Sequence, residues 1–180
     1  MITGGPCTGK TTLIERLKIK GYKVIEEVAR DVINEEQAKG SDVLPKDFVK
    51  FQYTVIKKQL SLERGLSDEE IVFLDRSPLD CWGYYKQRGL EPSDEIKGMM
   101  NNLNYDLIIY LEPLSHYEDD DVRSEGREVQ LEICNHLKES YEDSGMKMIC
   151  LPEYYEKKRK NIKKRLKVIE CLIKDYEKGF

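Results

Sequence analysis

An α/β fold, with a mainly parallel sheet and helices on both faces, is predicted by three observations. Short apolar runs alternate with helical patterns along the 180 residues. The runs 71–74 and 107–111 are apolar without interruption, as strands covered on both faces should be. Finally, Gly4-Gly5-Pro6-Cys7-Thr8-Gly9-Lys10-Thr11 fits G-x-x-x-x-G-K-[ST], the phosphate-binding loop that joins a strand to a helix.

Taken in order, Met1-Ile2-Thr3 supplies only the end of a first strand, so this strand is unusually short or the chain begins late. Leu13, Ile14 and Leu17 keep helical spacing to about Lys20, where Gly21 stops the helix. Residues 22–26 read as a second strand. Val28, Val32 and Ile33 fit a helix ending near Gly40. A long helix runs from Asp47, its N-cap, to Arg64. The third strand is 71–74, followed by helices over 79–88 and 94–101. The fourth strand is 107–111, closed by Pro113. Residues 114–127 form a polar surface loop, 129–141 a helix, and 146–151 a last strand stopped by Pro152. Ile162, Leu166, Ile169 and Ile173 make the apolar stripe of a closing helix within about 153–177. Neither a repeat nor a linker interrupts this pattern, and the length suits a single domain over 1–180.

Composition bounds the function. Residues are 39% hydrophobic and 36% charged, and no apolar run approaches a membrane span. No export signal precedes the loop. Five scattered cysteines without a C-x-x-C pair argue for reduced thiols and against zinc, so a cytoplasmic protein is expected. The net charge of −4 hides an asymmetry, because residues 157–180 hold ten Lys/Arg against three Asp/Glu.

The loop residues Gly5, Pro6, Cys7, Thr8, Gly9, Lys10, Thr11 and Thr12 are expected to hold a nucleoside triphosphate. Glycines let main-chain amides turn toward phosphate oxygens. The helix that starts here aims its positive dipole end at the same anion. Lys10 reaches the β- and γ-phosphates, and the Thr11 hydroxyl takes Mg²⁺. Cys7 is the cysteine to watch, since a helix N-terminus lowers thiol pKa. Asp75 ends the third strand, where a carboxylate holds the metal directly or through water. A helix N-cap is the structural alternative for Asp75. Arg76 can clamp a phosphoryl group by paired hydrogen bonds or pair with a neighbouring carboxylate. Glu26 and Glu27 end the second strand, and Glu27 is placed to take a proton from an attacking hydroxyl.

On the long helix, Phe48, Gln52, Val55, Gln59 and Leu62 share a face. Two amides on such a face need partners, and a ligand with a polar edge would satisfy Gln52. Arg123 and Arg127 lie four apart on a charged segment that closes over phosphates as a lid. A solvated charged loop is the plainer alternative.

These residues resemble a known group. G-G-P-C-T-G-K-T-T, E-V-A-R at 27–30, F-Q at 51–52, F-L-D-R-S-P-L-D at 73–80 and E-D-D-D-V-R at 118–123 look like the small phosphate-loop AAA-domain ATPase/kinase family. That family includes the kinase domain of bacterial nicotinamide riboside kinases, and the layout is also similar to deoxynucleoside kinases. The resemblance covers residues 1 to about 150. It implies a three-layer P-loop NTPase fold with a five-stranded parallel sheet in the order 2-3-1-4-5. It further implies ATP and Mg²⁺ as cofactors, Glu27 as general base, Gln52 as a substrate contact, and Arg123 and Arg127 in a lid. A second, Arg-finger helical domain of ring-forming machines is not found, and the tail beyond Pro152 matches no motif.

The tail 157–167, K-K-R-K-N-I-K-K-R-L-K, contains eight Lys/Arg. It reads first as the solvated outer face of a docked helix, and second as a polyanion contact weakened by the lack of interleaved aromatics. The expected function is therefore a small-molecule kinase moving the ATP γ-phosphate to a nucleoside- or riboside-like hydroxyl. The alternative is an ATPase or nucleotide-switched binding protein, contacting nucleic acid through the tail. N-K-x-D, the purine-reading motif of GTPases, is missing, which favours ATP.

Overall fold

The computed structural model describes residues 1–40, 47–67, 70–115 and 126–178. The elements run β1 (Ile2–Thr3), α1 (Lys10–Ile19), β2 (Lys23–Ile25), α2 (Val28–Ala38), α3 (Phe48–Glu63), β3 (Val72–Leu74), α4 (Asp80–Gln87), α5 (Asp94–Met100), β4 (Ile108–Leu111), α6 (Arg127–Asp143), β5 (Met148–Leu151) and α7 (Lys158–Glu177). Every predicted strand and helix is present, most with trimmed ends. Helix α6 instead starts two residues earlier than the pattern, at Arg127. Asp47 caps α3 as expected, its side chain accepting from the Lys50 amide.

The sheet departs from the expected single sheet of five strands. Parallel strands form a three-stranded sheet, β1-β4-β5, and a two-stranded one, β2-β3. Ile2 pairs with Ile109, Ile108 with Met148, and Val24 with Phe73. The cause lies in β1, which has two residues and spends both on β4. Beside β3 it makes only an isolated parallel bridge, Ile2 to Asp75. There the Arg76 amide donates to the Ile2 carbonyl at 2.9 Å, and the Asp75 amide to the Ile25 carbonyl at 2.9 Å.

Alternate side chains of the strands feed two apolar cores, as the pleat requires. Ile2, Phe73, Ile109 and Leu111 pack with Leu13, Ile14 and Leu17 of α1 and Ile162, Ile169 and Ile173 of α7. Met1, Leu74 and Ile108 face the opposite way, against Ile56 of α3, Cys81 and Tyr85 of α4, and Ile96 and Met100 of α5. Helix α6 covers Tyr110 on this second side with Ile133 and Leu137. Helix α7 therefore closes the core that α1 begins, and both flank the loop between β1 and α1.

Candidate active site

The loop between β1 and α1 is shaped by close approaches as much as by freedom of dihedral. Gly9 caps α1 in the left-handed region at φ 85°. At Gly5 the constraint is space, because an added Cβ would lie 2.2 Å from the Cys134 Sγ of α6. Pro6 and Thr8 are buried, and Cys7 and Thr12 half-buried. Cys7 sits at φ 54°, a strained region for a residue with a side chain. The Thr8 hydroxyl donates to the Gly5 carbonyl at 3.0 Å. Lys10 is buried and folds back on its own loop, its Nζ donating to the carbonyls of Gly4 at 2.7 Å and Gly5 at 2.6 Å. Burial, then repulsion from Arg76, lowers its pKa to about 7, against the pull of Asp75, Glu27 and Asp80. Thr11 stands exposed in the first turn of α1, which carries no acidic residue. The amides of that turn have no carbonyl four residues back to bond within the helix.

Beside this loop the structure gathers a buried network of charge. Arg76 lies at φ 75° just past β3. Its Nε donates to Glu27 Oε1 at 2.8 Å, and its Nη1 to Asp80 Oδ2 at 2.6 Å. Arg30 donates to the other Glu27 oxygen, Oε2, at 2.9 Å. Glu27 is only 7% exposed, so both its oxygens are held by guanidinium groups. Of the two roles open to Arg76, the structure displays the ion pair with neighbouring carboxylates. Glu26, by contrast, is exposed and pairs with Lys18 of α1.

Asp75 is 4% exposed, and its Oδ1 has no hydrogen-bond partner. Burial raises its pKa, partly offset by Lys10 and Arg76. A buried carboxylate oxygen without a donor is costly unless a ligand supplies one. Helix α4, which follows, takes Leu79 as its cap residue. Among the described residues no three His, Cys, Asp or Glu cluster for a metal. An Mg²⁺ held by one hydroxyl, one carboxylate and phosphate oxygens needs no such cluster.

Gln52 is buried on α3, as is Gln59, whose amide donates to Glu63 at 2.7 Å. The buried line of that helix is Gln52, Ile56 and Gln59, and Leu62 faces solvent. Gln52 and Gln59 of the predicted stripe thus lie on the buried line, while Ile56 replaces the half-buried Val55 as its centre and Leu62 drops out. Arg127 opens α6, with Nη1 donating to Gln130 Oε1 and Nη2 to the Leu114 carbonyl, both at 2.6 Å. Arg123 and most of the expected lid lie outside the described residues.

Four residues enter the site's surroundings without having been singled out. Asp80, four residues after Arg76, also accepts from the Thr3 hydroxyl at 2.8 Å and from the Tyr141 hydroxyl. Its spacing in D-R-S-P-L-D was the available signal. Tyr141 of α6 joins Ser77 to it. Gln130 donates to the Pro6 carbonyl at 2.7 Å. Arg165 of the basic tail is fully buried and reaches the Thr8 carbonyl at 2.6 Å. It falls between Ile162 and Ile169 on the stripe, so its inward direction was readable, but its charge argued the other way.

The profile of a family described as AAA domain matches residues 1–159. The chain belongs to this AAA domain family. No curated protein matches it. Among solved structures it is similar to a NadR protein in complex with NR, at TM-score 0.64 and 23% identity, covering 83% of this chain and 44% of that one. The family member here thus spans less than half of that protein's length. It is similar at TM-score 0.64 and 15% identity to thymidylate kinase from Candida albicans, covering 98% and 90% of the two chains. Deoxyadenosine kinase from M. mycoides with bound dATP follows at TM-score 0.55 and 16% identity, covering 94% and 97%. At these identities the likeness establishes a shared fold and nothing finer.

Proposed function

We propose that the chain is a small-molecule kinase that moves the γ-phosphate of ATP to a hydroxyl of a nucleoside- or riboside-like acceptor. The observation that carries this reading is a buried lysine beside an unpartnered carboxylate oxygen at one sheet edge. The lysine has a depressed pKa and is turned onto its own loop, and the Asp75 Oδ1 beside it lacks a donor. A triphosphate would give the lysine an anion, and its cation would meet the carboxylate oxygen. The chain's resemblance to kinases extends to three solved folds, and the bridge of Ile2 to Asp75 supports a sheet order of 2-3-1-4-5.

In this reading residues 5–12 hold the phosphates through main-chain amides and Lys10, and Thr11 and Asp75 hold Mg²⁺. The cation, when bound, screens charge on the transferring phosphoryl group. Glu27 takes the acceptor's proton once Arg76 is drawn toward phosphate, since a carboxylate gripped by two arginines is a weak base. Gln52 offers a donor and an acceptor to the substrate's polar edge. Arg76, Arg123 and Arg127 neutralise charge as the phosphoryl group moves. The single domain over 1–180 works in the cytoplasm, and its five cysteines form no disulfide.

A nucleotide-switched ATPase is the second reading, favoured by the engagement of both Glu27 oxygens. A screen of nucleosides and ribosides for acceptor-dependent ADP release separates the two. A kinase gives release that one acceptor stimulates and a phosphorylated product by mass spectrometry. Release indifferent to every acceptor would sink the kinase and leave the ATPase.

A further inference from the structure

Two side chains from the far end of the sequence grip the outside of the phosphate loop. Gln130 of α6 is fully buried and donates its Nε2 to the Pro6 carbonyl at 2.7 Å. Its Oε1 is fixed in turn by the Arg127 Nη1, which settles which end of the amide is the donor. Arg165 of α7 is fully buried, and its Nη1 donates to the Thr8 carbonyl at 2.6 Å. The rest of the same guanidinium donates to the carbonyls of Glu112 at 2.8 Å, Leu151 at 3.0 Å and Pro152 at 3.1 Å. Among the described residues, the partners of this buried cation are main-chain oxygens. Such a cation is costly to bury. Packing alone would be served better by a leucine at this point of the stripe.

A trans peptide is planar, and its C=O and N–H point in opposite directions. Holding the Pro6 carbonyl toward α6 therefore turns the Cys7 amide away from α6. Holding the Thr8 carbonyl toward α7 likewise turns the Gly9 amide away from α7. We infer that Gln130 and Arg165 are positioning residues of the phosphate loop, which aim the Cys7 and Gly9 amides into the cradle before a phosphate arrives. This inference rests on the nucleotide-binding reading above, and it assigns the C-terminal helix a part in it. The sharp distinction from a purely structural role is where the loss should fall. Amides aimed in advance cost no reorganisation on binding. Their loss should weaken contacts to phosphate and leave the rest of the nucleotide untouched.

The test uses the full chain with Gln130→Glu and Arg165→Lys. Gln130→Glu keeps the shape and the acceptor for Arg127 but removes the donor to Pro6. Arg165→Lys keeps the charge but loses the fork that spans four carbonyls. Calorimetry with Mg·ADP and with AMP reads the result, AMP lacking the β-phosphate that such a loop cradles. Each variant should bind Mg·ADP about tenfold more weakly, the loss of roughly one hydrogen bond, and AMP as the parent does. The ¹⁵N–¹H signals of Cys7 and Gly9 should move less on adding Mg·ADP than in the parent. If Arg165→Lys does not fold, Gln130→Glu decides alone. Folded variants that bind ADP as the parent does, or that lose ADP and AMP alike, overturn the inference and leave the nucleotide reading standing. A parent chain that does not bind Mg·ADP overturns both.

Discussion

Lys10 shows how a single residue reports the state of the site. Burial and Arg76 hold its pKa near 7, against the ordinary value of 10.5. Between those values the unfolded chain binds a proton that the folded chain has released. Stability from this group therefore rises with pH from about 7 upward, and its penalty is complete below pH 7. A phosphate would restore the ammonium. Binding of Mg·ADP at pH 8 should take up close to one proton, read by calorimetry in buffers of different ionisation enthalpy; equal heats in all buffers would contradict it. Glu27 offers a second test at this scale. Glu27→Gln should lower phosphoryl transfer by about 10²–10⁴-fold while Mg·ADP affinity survives, and transfer at the parent rate would remove it as the base. Cys7 and Arg76 are the two described residues other than glycine at positive φ, and both stand at this site. Backbone strain that persists in a folded chain gathers at functional positions.

Among the elements, the loop and α6 are fitted to each other with no spare volume. Gly5→Ala drives a methyl into Cys134 Sγ, so it should cost about 1–3 kcal/mol in urea unfolding. Cys134→Ala should return part of that loss, and the coupling from a double-mutant cycle measures the contact. Additive effects would show that the loop moves aside instead. The sequence predicts α7 as a docked helix with a solvated basic face, and most of it is that: Lys157, Lys160, Lys163, Lys164 and Lys167 are exposed. Its buried line seats Ile162, Ile169 and Ile173 in the core shared with α1. Ile169→Ala should therefore destabilise the whole domain by about 2–5 kcal/mol, as judged by the denaturation midpoint. A small shift would mean that α7 unfolds separately from the body. Arg165 is the exception on this helix, a cation turned inward onto main-chain carbonyls.

Across the whole molecule, the loop, the ends of β2 and β3 and the start of α6 meet at one edge of the parallel strands. That is where open α/β sheets collect their ligands. No described helix is long and apolar enough to cross a membrane. If this edge holds a nucleotide, ligand and fold are linked. Mg·ADP at one hundred times its dissociation constant should then add about 2.7 kcal/mol of stability, visible as a rise in Tm that grows with concentration. A Tm unmoved by Mg·ADP would exclude binding at the folded site.

The amino-acid sequence by itself determined the order of strands and helices. Each rests on local spacing of apolar residues, on Gly and Pro at the ends, or on a cap such as Asp47. It also determined the phosphate loop and the acidic ends of β2 and β3, since these are contiguous motifs. Only the tertiary structure decided what those motifs touch. It joined Arg76 to Glu27, which is 49 positions away. It limited β1 to one bridge with Asp75, and it turned Gln130 and Arg165 onto the loop from 124 and 157 residues away. The physical reason is that periodicity records which face of an element is buried. Which partner a buried donor finds there depends on how the elements cross, and no local pattern encodes that.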